Sequence, residues 1–405
     1  MSKPGRFMAM PPKSGDGLWA ALLALLVRLG VVAWAARRFP PAEDGHFYDV
    51  VAGRIARGLG YTWAWPDGVV TYAAHYPVGY PALIGGFYAI FGPYPAVAMM
   101  VNALLGAVAV VAVHRVASTS GSRAAALLSA LLAACHPGLV FYTPALMTEG
   151  VAASLIVMAA LAAIRCRGAR SPVRAVVGLG IVLGIATLVR PQSLLLAPLF
   201  GALAPRAGLL RIRLGLGALA TACALLCCAP WTLRNCERMN ACVLVSANAG
   251  WNLFIGAAEG ATGAWVPIER LGVPEACRTV WGEAEKDACF ERAGRKLVWQ
   301  SPLHFLSLVP KKLAATFDYA GAAGWYLHSS NPEAFSEHAK LALGAIETLW
   351  ERAVVLAGIA AAALARGPRP RLRRALGGVS AAFLLVRAGW VAHVGLCLLA
   401  LLFGR

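Results

Sequence analysis

The chain is 405 residues long, with 59% hydrophobic and only 14% charged residues; a soluble core of that length cannot bury so much apolar surface, so a soluble globular protein is excluded. The formal net charge of +18 would suggest nucleic acid in another setting, but the arginines cluster in short links between apolar runs, where they decide orientation in a bilayer. The sequence therefore reads as a multi-pass membrane protein that contacts membrane lipids and no nucleic acid.

Lys3, Arg6 and Lys13 put the N-terminal tail, 1–17, in the cytoplasm. The first apolar run, 18–36, is too long for a secretory h-region and lacks a small-residue cleavage site, so it reads as a retained span. Further spans are expected at 95–113, 124–142, 150–164, 176–189, 193–203, 214–231, 341–364 and 377–403. Arg115 with Arg123, then the basic clusters at 165–174, 206–213 and 366–374, mark cytoplasmic links. The apolar stretch 79–91 is too short to cross upright, and a full crossing would move the later basic clusters to the wrong face. It is expected to be re-entrant, interfacial or paired with another partial crossing.

That topology leaves three extracytoplasmic regions: a first loop at 37–94, a short link at 143–149 and a long stretch at 232–340. The organisation is thus a tail, a transmembrane core over 18–231 that includes the first loop, a loop region with helices over 232–340, and C-terminal transmembrane helices over 341–405. After Asp44, the residues Phe47, Val50, Val51, Ile55 and Leu59 form an apolar stripe with His46, Asp49 and Arg57 off it, as in a helix lying in the interface. Arg54 interrupts the stripe, and its long stem can snorkel. A helical pattern through Trp281, Ala284 and Ala288 covers 274–300, and a membrane-edge helix is expected at 302–317.

Asp44 follows the first span directly. From the residues alone it either caps the helix it opens or serves as a base at headgroup depth. No P-loop, nucleotide fingerprint or Ser-His-Asp ordering is present. No metal site is expected, since neither paired C-x-x-C motifs nor a His cluster occurs at zinc-like intervals. Cys223, Cys227 and Cys228 read as packing or lipid-facing thiols. Cys236, Cys242, Cys277 and Cys289 fall in the long loop, where an oxidising compartment permits pairing, and at least one bridge is expected among them.

A wider pattern surrounds Asp44. It runs through Tyr48, Gly58-Leu59-Gly60-Tyr61, His75-Tyr76-Pro77-Val78-Gly79-Tyr80-Pro81, Phe91-Gly92 and Asn102. It continues through Met147-Thr148-Glu149, Arg190-Pro191-Gln192, Pro230-Trp231, Arg234-Asn235 and the stretch from Asn248 to Gly263. Together these resemble family 39 glycosyltransferases, which include protein mannosyltransferases and bacterial aminoarabinose transferases. The resemblance implies a GT-C fold, an all-α polytopic transmembrane helix bundle with interfacial helices in the first extracytoplasmic loop. It also implies transfer, with inversion, of one sugar from a polyprenyl-phosphate donor to a glycan, lipid or protein acceptor on the outer face of the plasma or inner membrane. Many relatives carry a second acid directly after the catalytic Asp. Here Gly45 stands there and Glu43 precedes, which leaves a paired-carboxylate role, and a divalent cation with it, open.

On those terms Asp44 takes the acceptor proton, and Glu149 orients hydroxyls or helps hold a cation, unless it is simply a first-turn acid favoured by a helix dipole. The departing phosphate calls for fixed cations. Arg190 and Arg234 lie at outer ends of spans, and their planar forks suit phosphate oxygens, although interfacial snorkelling also explains them. Lys311 and Lys312 reach either that phosphate or lipid headgroups. His75 aligns loosely with a basic residue near the lipid phosphate in the aminoarabinose enzymes. Tyr48 and Tyr80, with Asn248 and Asn252, are candidate substrate contacts; Tyr76 and Tyr80 also suit an aromatic belt, and the glycines at 250, 256, 260 and 263 suit plain turns as well. Two rival readings are a lipid or glycolipid transporter or flippase, disfavoured by spans nearly free of acids, and a GT-C-fold subunit without catalysis.

Overall fold

The computed structural model describes residues 14–119, 123–205 and 209–364. Lys3, Arg6, Lys13, Arg206, the basic cluster at 366–374 and the expected span 377–403 lie outside them. In chain order the elements are α1 (Ser14–Ala35), α2 (Asp44–Ala56), β1 (Thr62–Ala64), β2 (Val70–Tyr72), α3 (Gly79–Phe91), α4 (Pro95–Ser118), α5 (Arg123–Ala134), α6 (Pro137–Phe141), α7 (Glu149–Cys166) and α8 (Pro172–Val189). After a 3-10 turn at Pro191–Leu195 come α9 (Leu196–Leu203), α10 (Leu210–Arg238), α11 (Ala249–Ala257), α12 (Glu275–Arg278), α13 (Glu283–Gln300), α14 (Pro302–Phe317), α15 (Ala322–Ser330) and α16 (Glu337–Leu364). Among the described residues, five helices, α1, α4, α7, α8 and α10, are long and apolar enough to cross a membrane. The chain is a helical polytopic bundle.

Several expectations need correction. The stretch 124–142 is not one span: α5 stops at Ala134 and α6 restarts at Pro137, because proline has no N–H to give and crowds the preceding turn. The stretch 193–203 is a 3-10 turn followed by the short α9. The pattern over 274–300 divides into α12 and α13, with Gly282 in extended conformation before α13 and Trp281 91% exposed. The α2 stripe ends early, since the chain turns at Gly58 (φ 74°) and leaves Leu59 50% exposed. A β1–β2 hairpin, paired Thr62 to Tyr72, was not expected. Its Pro66-Asp67-Gly68 loop has Gly68 at φ 87°, the left-handed position that a three-residue hairpin loop asks for.

The chain divides into two compact units. One comprises the segment ending at Gly45, Ala98–Ala175 and the segment from Ala320; the other comprises His46–Val97 and Val176–Tyr319. In the first unit, Arg123 grips Asp16 through two hydrogen bonds of 2.6 and 2.8 Å, so α1 and α5 begin at one end. The break between α5 and α6 is repaired from α1: Arg28, 2% exposed, donates from Nη1 to the Ala134 carbonyl at 3.1 Å and to its own Ala24 carbonyl at 3.2 Å. Orphan carbonyls at a helix end need such a partner. On the far side of the break, His136 Nδ1 accepts the Leu139 N–H at 3.3 Å.

In the second unit, α8 and α10 meet through small residues. A Cβ at Gly180 or Gly184 would fall 2.5 Å from Cβ of Cys223 or Cys227 respectively, the small-xxx-small packing that lets membrane helices approach closely. Those cysteines are therefore packing thiols. Beyond α10 lies a loop module closed by two disulfides, Cys236–Cys242 and Cys277–Cys289, around a core of Phe254, Ile255, Ile268 and Phe290. Two carboxylates one turn apart on α13 organise it. Glu283 Oε2 accepts the Ala74 and His75 N–H groups at 2.5 and 2.8 Å, and Asp287 Oδ1 accepts the Trp251 N–H at 2.8 Å. Burial pushes the Asp287 carboxyl above the ordinary range, against the backbone N–H groups of Trp251 and Gly250 that favour its charged form.

Two stability outcomes follow. Gly184→Leu is expected to lower the melting midpoint in detergent by overpacking, about 1–3 kcal/mol, whereas Gly178→Leu on the same helix, where an added Cβ meets nothing within 4 Å, leaves it unchanged; equal effects would refute the α8–α10 contact. Asp287→Ala strands two N–H groups and should cost about 1–3 kcal/mol. Asp287→Asn keeps an acceptor without a buried charge and should cost much less, and the two are separated by thermal unfolding at neutral pH.

Candidate functional site

In the first unit, Asp44 is the first residue of α2 and is half-buried. A carboxylate there is favoured by the partial positive charge of the helix N-terminus. Glu43 precedes it with φ 51°, an uncommon backbone for an L residue, and its Oε1 accepts the Ser329 hydroxyl at 2.8 Å. Glu149 likewise opens its helix, α7. The link leading to it is held by Asn102 of α4, whose Nδ2 donates to the Thr143 and Ala145 carbonyls, both at 3.1 Å. Asn102, Arg28, Tyr142, Thr143 and Ser154 line a cavity in this unit, and neither Asp44 nor Glu149 is in its wall.

In the second unit, Tyr48 and Tyr80 are buried, at 3% and 0% exposed. Their rings meet edge to face at 5.5 Å, and Tyr48 meets Tyr76 at 5.3 Å. They form an aromatic core, so Tyr80 does not belong to a lipid-facing belt. Phe47, Tyr61, Trp63 and Trp231 continue that core. Its polar edge is Asp49, one turn beyond the start of α2, whose Oδ1 accepts the Tyr88 hydroxyl at 2.5 Å. Burial raises the Asp49 carboxyl above its usual range, with Tyr88 and His46 opposing.

His75 is brought beside the Asn- and Gly-rich loop. Its ring meets Trp251 of α11 at 5.6 Å, its backbone N–H donates to Glu283, and Asp287 faces it electrostatically. Asn248 precedes α11, its Oδ1 accepts the Ser246 hydroxyl at 3.1 Å, and its carbonyl accepts Asn252 Nδ2 at 2.8 Å. Lys312 of α14 joins the same loop: its Nζ stands 4.2 Å from the centre of the Phe305 ring, and a Cβ at Gly256 would lie 3.4 Å from it. Gly263, at φ 94°, lets the loop lie directly on the Lys311–Lys312 backbone. Arg190 ends α8 in an extended conformation, φ −141° and ψ 111°, because the residue before a proline is driven out of the helical region.

Arg234, a candidate phosphate contact, is held by backbone and ring contacts. Its Nη1 donates to the Ala73 carbonyl at 2.9 Å and to Asn235 Oδ1 at 3.0 Å, and its Nη2 donates to the Tyr61 carbonyl at 2.8 Å. The guanidinium also lies 4.6 Å from the Trp231 ring centre and 5.4 Å from that of Tyr72. It ties the hairpin and the segment before His75 to α10. Glu283, Asp287 and Asp49 were missed by sequence reasoning. The signal for the first two was the i, i+4 acid pair in the opening turns of α13, which also suits a helix dipole and so did not stand out. Among the described residues, no group of three or more His, Cys, Asp or Glu side chains could hold a metal ion.

Residues 75–233 match the family described as dolichyl-phosphate-mannose-protein mannosyltransferase. That stretch includes His75, Tyr80, Glu149 and Arg190, while Asp44, Arg234, Asn248, Asn252 and Lys312 fall outside it. Solved structures to which the chain is similar include the Archaeoglobus fulgidus oligosaccharyltransferase in its apo form, at 15% identity and TM-score 0.47, covering 96% of this chain and 52% of that one. The same enzyme complexed with Zn and sulfate aligns at 15% identity and TM-score 0.46, over 96% and 51% of the two chains. ArnT from Cupriavidus metallidurans bound to undecaprenyl phosphate aligns at 17% identity and TM-score 0.46, over 94% of this chain and 77% of that one. The chain thus spans about half the length of the archaeal enzyme. No curated protein matches it. The resemblance read from the residues is met by the family match, and through residues 75–233 this polytopic helical membrane protein is similar to the GT-C glycosyltransferases of family 39.

Proposed function

We propose that the chain is an inverting membrane glycosyltransferase that moves one sugar from a polyprenyl-phosphate donor to an acceptor on the extracytoplasmic side of the plasma or inner membrane, with Asp44 as general base. The observation that carries this reading is the match of residues 75–233 to a family named for a dolichyl-phosphate sugar donor. The position of Asp44 in the first turn of α2 supports its role, since the partial positive charge of a helix N-terminus suits a carboxylate and an ionised carboxylate can accept a proton.

The chemistry is a single displacement. The acceptor hydroxyl gives its proton to Asp44 as its oxygen attacks the anomeric carbon. The bond from that carbon to the phosphate oxygen breaks, and its electron pair leaves with the polyprenyl phosphate. Fixed cations stabilise the charge that develops there. Arg190, His75 and Lys312 take this role in the proposal, and Glu149 orients hydroxyl groups. Arg234 serves by holding the segment before His75 through its bonds to Ala73 and Tyr61. Tyr48 and Tyr80 support the start of α2 from a buried aromatic core, and Asn248 and Asn252 offer polar groups to the sugar or acceptor.

The test is sugar transfer by the purified protein from a panel of polyprenyl-phosphate sugars. Asp44→Asn is expected to lower kcat by about 10²–10⁴-fold while donor lipid still raises the melting midpoint. Transfer at the wild-type rate by that variant would remove Asp44 from the mechanism. Arg190→Gln should lower kcat/KM by about 10²–10³-fold, the scale of losing one preorganised donor to a developing anion; an unchanged kcat/KM would mean that Arg190 only anchors its helix.

A further inference from the structure

The segment that carries Asp44 is gripped by one short helix. The last turns of α15 and the residue after it meet this segment at four points between Arg38 and Glu43. Asn331 Nδ2 donates to the Arg38 carbonyl at 2.8 Å, Ser330 Oγ to the Pro40 carbonyl at 2.6 Å and Ser329 Oγ to Glu43 Oε1 at 2.8 Å. In the opposite sense, the Ala42 N–H donates to Tyr326 Oη at 3.2 Å. The helix is itself fixed. Ala323 and Leu327 are buried with Ala35, Phe39 and Leu343 in one cluster, and a Cβ at Gly324 would fall 2.9 Å from the Lys340 carbonyl oxygen, so α15 lies hard against α16.

One of the four contacts stands apart. The Ser329, Ser330 and Asn331 bonds are open to water, which can replace such bonds at small net cost. Tyr326 is 1% exposed, and its hydroxyl also reaches Gly45. A Cβ on residue 45 would lie 2.6 Å from Tyr326 Oη, against 3.3 Å from Cε2 and Cζ. Gly45 is not among the residues with positive φ, and a glycine early in a helix is intrinsically poor. Space, and not backbone conformation, therefore accounts for the glycine. What needs the space is the hydroxyl oxygen, since the ring carbons alone would leave room for a methyl group with a small adjustment.

From this we infer that Tyr326 is a positioning residue for Asp44. Its hydroxyl, set between the Ala42 N–H and the bare backbone of Gly45, fixes the backbone of the segment 42–45, and so where the Asp44 carboxylate is carried. Ser329 holds Glu43, with its left-handed backbone, to the same helix. The inference rests on the proposed role of Asp44 as base.

The test is a two-by-two set of variants: wild type, Gly45→Ala, Tyr326→Phe and the double variant, measured for kcat, donor KM and melting midpoint. Gly45→Ala is expected to lower kcat by about 10–100-fold, the scale of misplacing a reacting group by around an ångström, with donor KM within about threefold. Tyr326→Phe should lower kcat by a few-fold. In the double variant the clash is gone, so kcat should rise from the Gly45→Ala level back to that of Tyr326→Phe, and the melting midpoints should show the same non-additivity. A Gly45→Ala enzyme with wild-type kcat, or a double variant no better than Gly45→Ala, overturns the inference. So does a matched fall in kcat with a rise in KM, which would mark a general loss of structure. Asp44→Asn, run beside the set, separates the two ideas: if it transfers sugar normally, the function proposed for Asp44 fails, and if it is inactive while the double variant shows no rescue, only the role of Tyr326 fails.

Discussion

Backbone that leaves regular structure in or beside a bilayer has little water to satisfy its N–H and C=O groups, and this chain meets that constraint with side chains. Arg28 serves the carbonyl where α5 stops, Asn102 the link before α7, and Arg234 the carbonyls of Tyr61 and Ala73. Asn235, fully buried, serves Val243, and the Trp231 indole N–H serves Val245. Glu283 and Asp287 do the same for N–H groups of the first loop and of α11. Several of these repairs join segments far apart in sequence, as Arg28 does with Ala134 and Arg234 with Tyr61 and Ala73. Within each unit, the irregular segments that carry candidate chemistry are therefore held by side chains of the helices packed against them.

That constraint also bears on how the candidate site residues read in sequence. A charged or amide side chain at the end of a span looks the same in sequence whether it faces a ligand or a carbonyl. Arg190 and Arg234 make the point: both sit at span ends before or near proline-rich motifs, but Arg234 is drawn into a hairpin that the sequence did not announce strongly. The Pro66-Asp67-Gly68 turn signal was present, yet the strands beside it are only three residues each, too short for an alternating pattern to stand out. Without the hairpin, nothing in the sequence says what Arg234 holds.

Long uniform elements were far more legible. The bounds expected for the apolar stretch at 79–91 and the helix at 302–317 coincide with α3 and α14; Gly79 and Gly92-Pro93 mark both ends of the first and Pro302 the start of the second. The five long spans were legible from hydropathy, whereas the break within 124–142 was hidden by continuous apolar composition on either side of His136-Pro137. Length alone could not reveal it. Of the candidate site, the approach of His75 to the Asn- and Gly-rich loop and that of Lys312 to Gly256 depend on α13 and α14 folding back, a tertiary event no local pattern encodes.

Adjacent acids at 43 and 44 have different surroundings, and the difference bears on the chemistry proposed for them. Glu43 is turned into the left-handed region with its carboxylate on Ser329, whereas Asp44 lies in the first turn of a helix, where the macrodipole favours the ionised form. An acceptor hydroxyl becomes acidic only as its bond to the anomeric carbon forms, so in the proposed displacement proton transfer to Asp44 comes late. More of the barrier must then be lowered at the other end of the reaction, where the phosphate leaves and fixed cations act. In the proposed reaction that demand falls on Arg190, His75 and Lys312. The rate of such an enzyme is set as much by what these three groups meet as by the acid that takes the proton.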